Sequence, residues 1–223
     1  MEKARDVVER IESRATRAVT RAGGGAVVWR SWGEGPPLVL LHGASGSWTH
    51  WIRNVLPLAA RFRVLAPDMP GFGDSVAPPE PHTADGLADL VAAGLDVMLR
   101  PPAELDLAGF SFGGIIGGLV AARPGSRIRR LVLLGAGGLG LGAPPPLTLL
   151  GIESPMSPEE IRQVHRENLR ILMLGSPESA DDLAVALQME NLHRARFKSR
   201  DPAVRRAAAG AARDPRAHRG HLG

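Results

Sequence analysis

Leu105-Asp106-Leu107-Ala108-Gly109-Phe110-Ser111-Phe112-Gly113-Gly114 is the stretch on which the reading of this chain turns. Its first four residues have the apolar character of a short buried strand, and Ser111 to Ala122 continues as a helix-like run that ends before Pro124. A Gly-x-Ser-x-Gly sequence therefore falls at a strand-to-helix junction. A bend there is tight and strained, and Gly109 and Gly113 leave space for the backbone to close while the hydroxyl of Ser111 is lifted into a cleft. The backbone N–H of Phe112, at the start of the helix, can point at a developing oxyanion. Two other glycine-loop readings fail on the residues themselves. A phosphate loop needs a Lys-Ser/Thr pair after the glycines, and a dinucleotide fingerprint needs a spacing that Gly109, Gly113 and Gly114 do not have.

Upstream, Leu40-Leu41-His42-Gly43-Ala44-Ser45-Gly46-Ser47 lies at the end of another apolar run. A loop of small residues in that place lets a second backbone N–H, that of Ala44, serve as the other oxyanion donor. His42 has the residue type of a general base, but its position beside Gly43 favours a structural hydrogen-bonding role. A third block, Ala66-Pro67-Asp68-Met69-Pro70-Gly71-Phe72-Gly73-Asp74-Ser75, reads by itself as a Pro/Gly turn after a strand, with Asp68 structural.

Around these blocks the apolar runs Ala26 to Trp32, Pro37 to Leu41, Arg63 to Ala66, Leu105 to Ala108 and Leu131 to Leu134 alternate with helix-like stretches at Trp48 to Ala60, Thr83 to Leu99 and Ser111 to Ala122. That rhythm predicts an α/β fold: a mostly parallel sheet with helices on both faces and ligands at the carboxyl ends of the strands. Residues 3–20 place Val7, Val8, Ile11, Ala15, Ala18 and Val19 near helical spacing, which predicts one amphipathic opening helix stopped by Gly23 to Gly25. From Gly135 to Pro146 the chain turns rich in Gly and Pro and the rhythm stops. Ser157-Pro158-Glu159-Glu160 then supplies an N-cap, a first-turn proline and a capping-box glutamate for a helix over Ile161 to Leu174, and Ser179 with Asp182 opens a second, running to about Phe197. The expected organisation is a core over residues 1–139, a helical cap or lid over 140–200, and an irregular basic tail over 201–223.

Taken together, the three motif blocks resemble the α/β-hydrolase family, in the branch with a helical cap inserted after the sixth strand. The resemblance covers residues 25–200 and rests on the order His-Gly loop, Asp-x-x-Gly-x-Gly-x-Ser, Gly-x-Ser-x-Gly. It implies a nucleophile at Ser111, oxyanion donors at Ala44 and Phe112, and supporting roles for His42, Gly43, Gly109 and Gly113. A Ser in the nucleophile position favours hydrolysis of an ester, thioester or carbon-carbon bond of a small molecule over epoxide opening or dehalogenation. No cofactor is implied, and no ligand cluster suggests a metal.

The family's chain order is Ser, acid, His, which puts the acid and the His after the cap. The last 23 or so residues hold no apolar strand; His218 and His221 are candidates by residue type alone, His165 and His193 fall on the expected cap helices and read as solvated or substrate-facing, and His50 and His82 have no acid signal beside them. Back-translated with GC-rich codons and read one base later, Arg213 to Gly223 can spell Gly-Ile-Arg-Ala-Pro-Ile-Ala-Gly-Ile-Trp-Gly, which resembles the strand the family places there. The expectation is a frameshift near residues 201–204, an incomplete C-terminal edge of the sheet, and self-association through that exposed edge. The alternative to a working hydrolase is a non-catalytic module or truncated fragment with the same fold.

Composition narrows the remaining classes. The 223 residues carry a net charge of +4, 44% hydrophobic residues and no cysteine, so disulfides and thiolate chemistry drop out. Arg205, Arg206, Arg213, Arg216 and Arg219 against Asp201 and Asp214 account for a surplus of three positive charges, leaving the body nearly neutral. Without a basic stripe interleaved with aromatics, a nucleic-acid partner is not expected. The opening residues lack the apolar core of a signal peptide, and no segment offers the roughly 18 uninterrupted apolar residues of a membrane span, so a cytoplasmic protein without a membrane partner is expected.

Overall fold

The computed structural model of the chain describes residues 2–137 and 147–196. Six strands, β1 (Thr16–Ala22), β2 (Gly25–Trp32), β3 (Pro37–Leu41), β4 (Arg63–Asp68), β5 (Leu105–Phe110) and β6 (Ile128–Leu134), form one sheet in the spatial order β1-β2-β4-β3-β5-β6. From β4 through β3 and β5 to β6 the pairing is parallel, whereas β1 and β2 are joined to the sheet antiparallel.

Alternation along the strands divides the core in two. Val39 and Leu41 of β3, Leu65 of β4 and Leu107 of β5 face α3 (Ala84–Met98) and α4 (Phe112–Ala121), where Leu87, Leu95 and Ile116 close the layer. The intervening Leu40, Val64 and Ala66 face the other way, against Ile11 of α1 (Glu2–Glu12), Val55 of α2 (Val55–Ala59), Trp48 and Ile52. Near-continuous apolar strands are what a sheet covered on both faces requires, because each successive side chain meets a different layer.

The single opening helix expected over residues 3–20 is two elements. After α1, β1 pairs in register with β2, Thr16 opposite Ser31 and Ala22 opposite Gly25, through a turn in which Gly23 and Gly24 have φ of 54° and 76°. Ala18 and Ala22 pack against the first core layer and Thr20 is buried, accepting the Trp29 indole N–H at 2.9 Å. A period of two read with alanines and threonine gives a weak hydrophobic signal, and the preceding helical spacing ran across it. Similarly, the helix expected from Trp48 to Ala60 is a 3₁₀ turn, Trp48–Trp51, followed by the short α2.

After β6 the described chain resumes with α5 (Pro158–Leu172) and α6 (Asp182–Arg194), which pack on each other around Leu169, Ala180 and Val185. The capping box of α5 is formed as its sequence suggests: Glu160 N–H donates to the Ser157 hydroxyl, and Ser157 N–H donates to the Glu160 carboxylate. Asp181, two residues beyond the expected cap Ser179, caps α6; Ser179 belongs to a separate 3₁₀ turn. The expected basic tail and its frameshift reading lie outside the described residues. Among the described residues β6 is an edge strand, with Leu131, Val132 and Leu134 37%, 51% and 41% exposed. No described helix is long and apolar enough to cross a membrane.

Candidate active site

Ser111 sits between β5 and α4 with φ 51° and ψ −116°, a conformation that L-residues other than glycine seldom adopt and that stores on the order of 1–3 kcal/mol of strain. The bend is held by main-chain bonds: Ser111 N–H donates to Leu134 O at 2.8 Å, and Ser111 O accepts Gly114 N–H at 2.9 Å. Close approach explains the two flanking glycines. A Cβ on Gly109 would lie 2.4 Å from Gly113 O, and one on Gly113 would lie 2.4 Å from both Leu41 O and His42 O. The second contact brings the end of β3 and the start of α4 together, so the His-Gly loop and the Ser111 bend are built as one unit.

Gly43 completes the juxtaposition. A Cβ there would stand 2.9 Å from the Phe110 ring and 3.4 Å from Ser111 Cβ. Ala44 follows directly, half-buried, and packs on the first core layer. Among the described residues, neither Ala44 N–H nor Phe112 N–H finds an acceptor. The Ser111 hydroxyl, itself half-buried, makes no hydrogen bond to a described imidazole or carboxylate. The sequence-derived residues Ser111, Phe112, Gly109, Gly113, His42, Gly43 and Ala44 are thus gathered at the carboxyl ends of β3 and β5.

His42 is entirely buried and spends both ring nitrogens on the backbone. Nδ1 lies 2.7 Å from Gly43 O, and Nε2 accepts Met69 N–H at 2.8 Å, which fixes the proton on Nδ1. Burial lowers its pKa to about 4, the Gly43 carbonyl opposing, so the ring is neutral and ties the β3 loop to the turn after β4. Asp68, 1% exposed, fastens the same turn from the other side. It accepts the N–H groups of Trp48 and Asp74 at 2.8 and 3.0 Å and pairs with Arg30 at 2.9 Å. Arg30, also buried, reaches Glu12 and Asp74 and stacks over Trp48 at 5.3 Å.

Sequence reasoning passed over His50. Its Nδ1 accepts Gly43 N–H at 3.2 Å, its ring lies edge-on to Phe110 with centroids 5.9 Å apart, and it packs over Gly46. The residue keeps some exposed surface, but Nε2 has none and no partner among the described residues. Desolvation, with a smaller contribution from His42, lowers its pKa to about 3, so the neutral ring carries its proton on Nε2. Only its place eight residues after His42 could have drawn notice, since the burial comes from tertiary contacts.

A cavity of about 280 Å³ opens between the Trp48–Trp51 turn and the helices α5 and α6, lined by His50, Ile52, Leu169, Met173, Leu187 and Gln188 among others. Ser111 is not in its wall; His50 and Gly43 stand between them. Met173 lines the cavity, while Trp48 and Phe112 belong to the two core layers. His165 lies on α5 and His193, exposed, on α6, and His218 and His221 fall outside the described residues. Among the described residues no group of three or more His, Asp or Glu converges as a metal site.

A strand-turn-helix bend of this geometry on a mostly parallel sheet belongs to a known class. Residues 36–195 match the family model for the alpha/beta hydrolase fold, and the chain belongs to that family. It is 42% identical over 112 residues to the 2-hydroxymuconate semialdehyde hydrolase of Pseudomonas sp. (strain CF600), covering 48% of this chain and 38% of that one. To a pimeloyl-[acyl-carrier protein] methyl ester esterase of Aeromonas hydrophila subsp. hydrophila it is 31% identical over 157 residues, covering 68% and 59%. Among solved structures, a putative lipase from Acinetobacter baumannii AYE superposes with a TM-score of 0.69 over 86% of this chain and 66% of that one, at 19% identity, a likeness of fold. The chain spans about half the length of the curated relatives it matches.

Proposed function

We propose that this chain is a serine hydrolase that cleaves an ester, thioester or carbon-carbon bond of a small molecule, with Ser111 as nucleophile and the backbone N–H groups of Ala44 and Phe112 as the oxyanion hole. The observation that carries the reading is the strained Ser111 conformation between β5 and α4, with the N–H groups of Ala44, in the loop after β3, and of Phe112, the first residue of α4, lacking an acceptor among the described residues. The named activities of the relatives, a hydrolase and a methyl ester esterase, agree with it.

Attack of the Ser111 oxygen on a carbonyl carbon would place the former carbonyl oxygen, now negative, against the two N–H groups, where a preorganised donor contributes about 3–4 kcal/mol. Collapse expels the leaving group with a proton, and water then releases the acyl group from Ser111. Residues 140–200 act as the cap over this site, and the exposed β6 edge pairs with a second copy of the chain.

A second reading is a non-catalytic module of the same fold, favoured by the lack of any described imidazole or carboxylate on the Ser111 hydroxyl. A fluorophosphonate probe separates the two. Labelling that maps to Ser111 and disappears in S111A supports the hydrolase; absence of labelling in folded protein supports the module.

A further inference from the structure

Glycine has the freest backbone of any residue, and Gly43 stands where the proposed reaction tolerates the least movement. Its missing side chain is required, since a Cβ there would stand 2.9 Å from the Phe110 ring; Gly46 is required likewise, since a Cβ there would lie 2.6 Å from Nδ1 and Nε2 of His50. Two glycines in the four residues 43–46 would leave the loop loose, and two imidazoles take up that freedom. His50 Nδ1 accepts Gly43 N–H at 3.2 Å, which fixes the peptide before Gly43. His42 Nδ1–H donates to Gly43 O at 2.7 Å, and Gly46 N–H donates to the same oxygen at 3.2 Å, closing a turn in which Ser45 has φ 50°. Gly43 O and Ala44 N–H are opposite ends of one planar peptide, so holding the oxygen turns the N–H the other way. His50 is itself held, edge-on to the Phe110 ring with centroids 5.9 Å apart and edge-on to His42 at 6.0 Å. Burial keeps its ring neutral, so Nδ1 retains the lone pair that the bond to Gly43 needs.

We propose that His50 is a positioning residue: by accepting Gly43 N–H it completes, with His42, a two-sided clamp on Gly43 that aims the Ala44 N–H at the oxygen developing beside Ser111. The inference rests on the oxyanion role proposed for Ala44 and adds to it a residue that touches neither the substrate nor the reacting atoms. The two histidines act in opposite tautomers, His42 donating from Nδ1 and His50 accepting there, so neither replaces the other. A mispointed donor is costly, because a displacement of about 1 Å at a reacting centre lowers a rate by as much as about a hundredfold. That loss falls on the bond-making step and leaves the encounter with the reagent unchanged.

The test compares the full chain with H50L, which keeps bulk but loses the acceptor, and H50N, whose Oδ1 takes the place of Nδ1. Labelling of Ser111 by a fluorophosphonate probe, followed in time at several concentrations, separates the maximal labelling rate from the half-saturating concentration. H50L should lower the maximal rate by about tenfold to a hundredfold with half-saturation unchanged, and H50N should recover most of it. By 15N relaxation the Ala44 amide order parameter should fall from about 0.85 in the parent to below about 0.6 in H50L, and Gly43 amide exchange should speed up by about tenfold or more. A parental labelling rate in H50L, a loss confined to half-saturation, or parental Gly43 exchange and Ala44 order each overturns the proposal. Should H50L not fold, the parent and H50N decide: scalar coupling across the Gly43 N–H to His50 Nδ1 bond and near-parental labelling of H50N are expected, and a His50 ring protonated on Nδ1 overturns the proposal. A folded parent that takes no label overturns the Ser111 reading alone, and the amide measurements then decide the clamp.

Discussion

Asn191 on α6 and Thr49 on the turn after β3 hydrogen-bond twice inside the protein: Asn191 Nδ2 donates to Thr49 Oγ1 at 3.1 Å, and Thr49 Oγ1 lies 3.3 Å from Asn191 Oδ1. Asn191 Oδ1 also accepts the Ser47 hydroxyl at 2.8 Å, and Asn191 is 4% exposed. This buried amide fastens α6 to the loop that runs past His50. The N191A variant leaves the Ser47 and Thr49 hydroxyls their bond to each other at 2.7 Å but removes the link to α6, and a loss of about 1–3 kcal/mol is expected from urea denaturation. Limited proteolysis should show the 147–196 region cut faster than in the parent; unchanged cutting would mean the amide does not hold α6 in place.

Ser111 is strained for a reason other than stability. S111G should raise the unfolding free energy by about 1 kcal/mol, since relief of the positive φ outweighs the added chain entropy of glycine, and should abolish probe labelling. A thermal melt no higher than the parent's would mean that the bend is not strained.

G113A meets two carbonyl oxygens at 2.4 Å, and main-chain atoms on both sides leave no flexible end to move. A loss of more than about 3 kcal/mol, or failure to accumulate as soluble protein, is expected. Parental stability in this variant would show that the β3 loop and α4 lie farther apart than described.

His42 is neutral in the folded chain with a pKa near 4, whereas the unfolded ring titrates near its usual value. The unfolded state therefore binds more protons between about pH 6.5 and pH 4, and stability falls as the pH drops through that window. The expected loss is on the order of 3 kcal/mol for His42, with His50 acting in the same direction. Urea midpoints measured from pH 7.5 to 4.5 should decline; H42Q should flatten part of the slope. Asp74, whose carboxyl Arg30, Arg194 and Arg17 hold below its usual range against the effect of burial, contributes only at lower pH.

The elements richest in large apolar residues were legible. β3, β4 and β5 read as continuous apolar runs because both faces of the sheet are covered, and Gly109 and Gly113 were legible because a strand meets a helix there. β1 was hidden, since its inward residues are Ala18, Thr20 and Ala22, whose burial depends on Trp29 lying across the sheet. His50 was hidden for a related reason: a histidine in a loop becomes a buried donor only when Gly43, Phe110 and α6 are placed around it, and nothing local encodes that arrangement. The Ser111 bend and its two amides needed only short-range sequence, whereas the cavity needed residues more than a hundred positions apart.

Asp74 is approached by Arg17 of β1 at 3.6 Å, Arg30 of β2 at 2.5 Å and Arg194 of α6 at 2.7 Å. One acidic side chain thus arbitrates among the hairpin, the sheet and the end of α6. Replacing any one of the arginines changes how strongly the other two are held, so pairs of substitutions at 17, 30 and 194 should be epistatic, departing from the sum of their single effects by about 0.5 kcal/mol or more. A lineage drifting at one of these positions would be constrained in which replacements it could then accept at the other two.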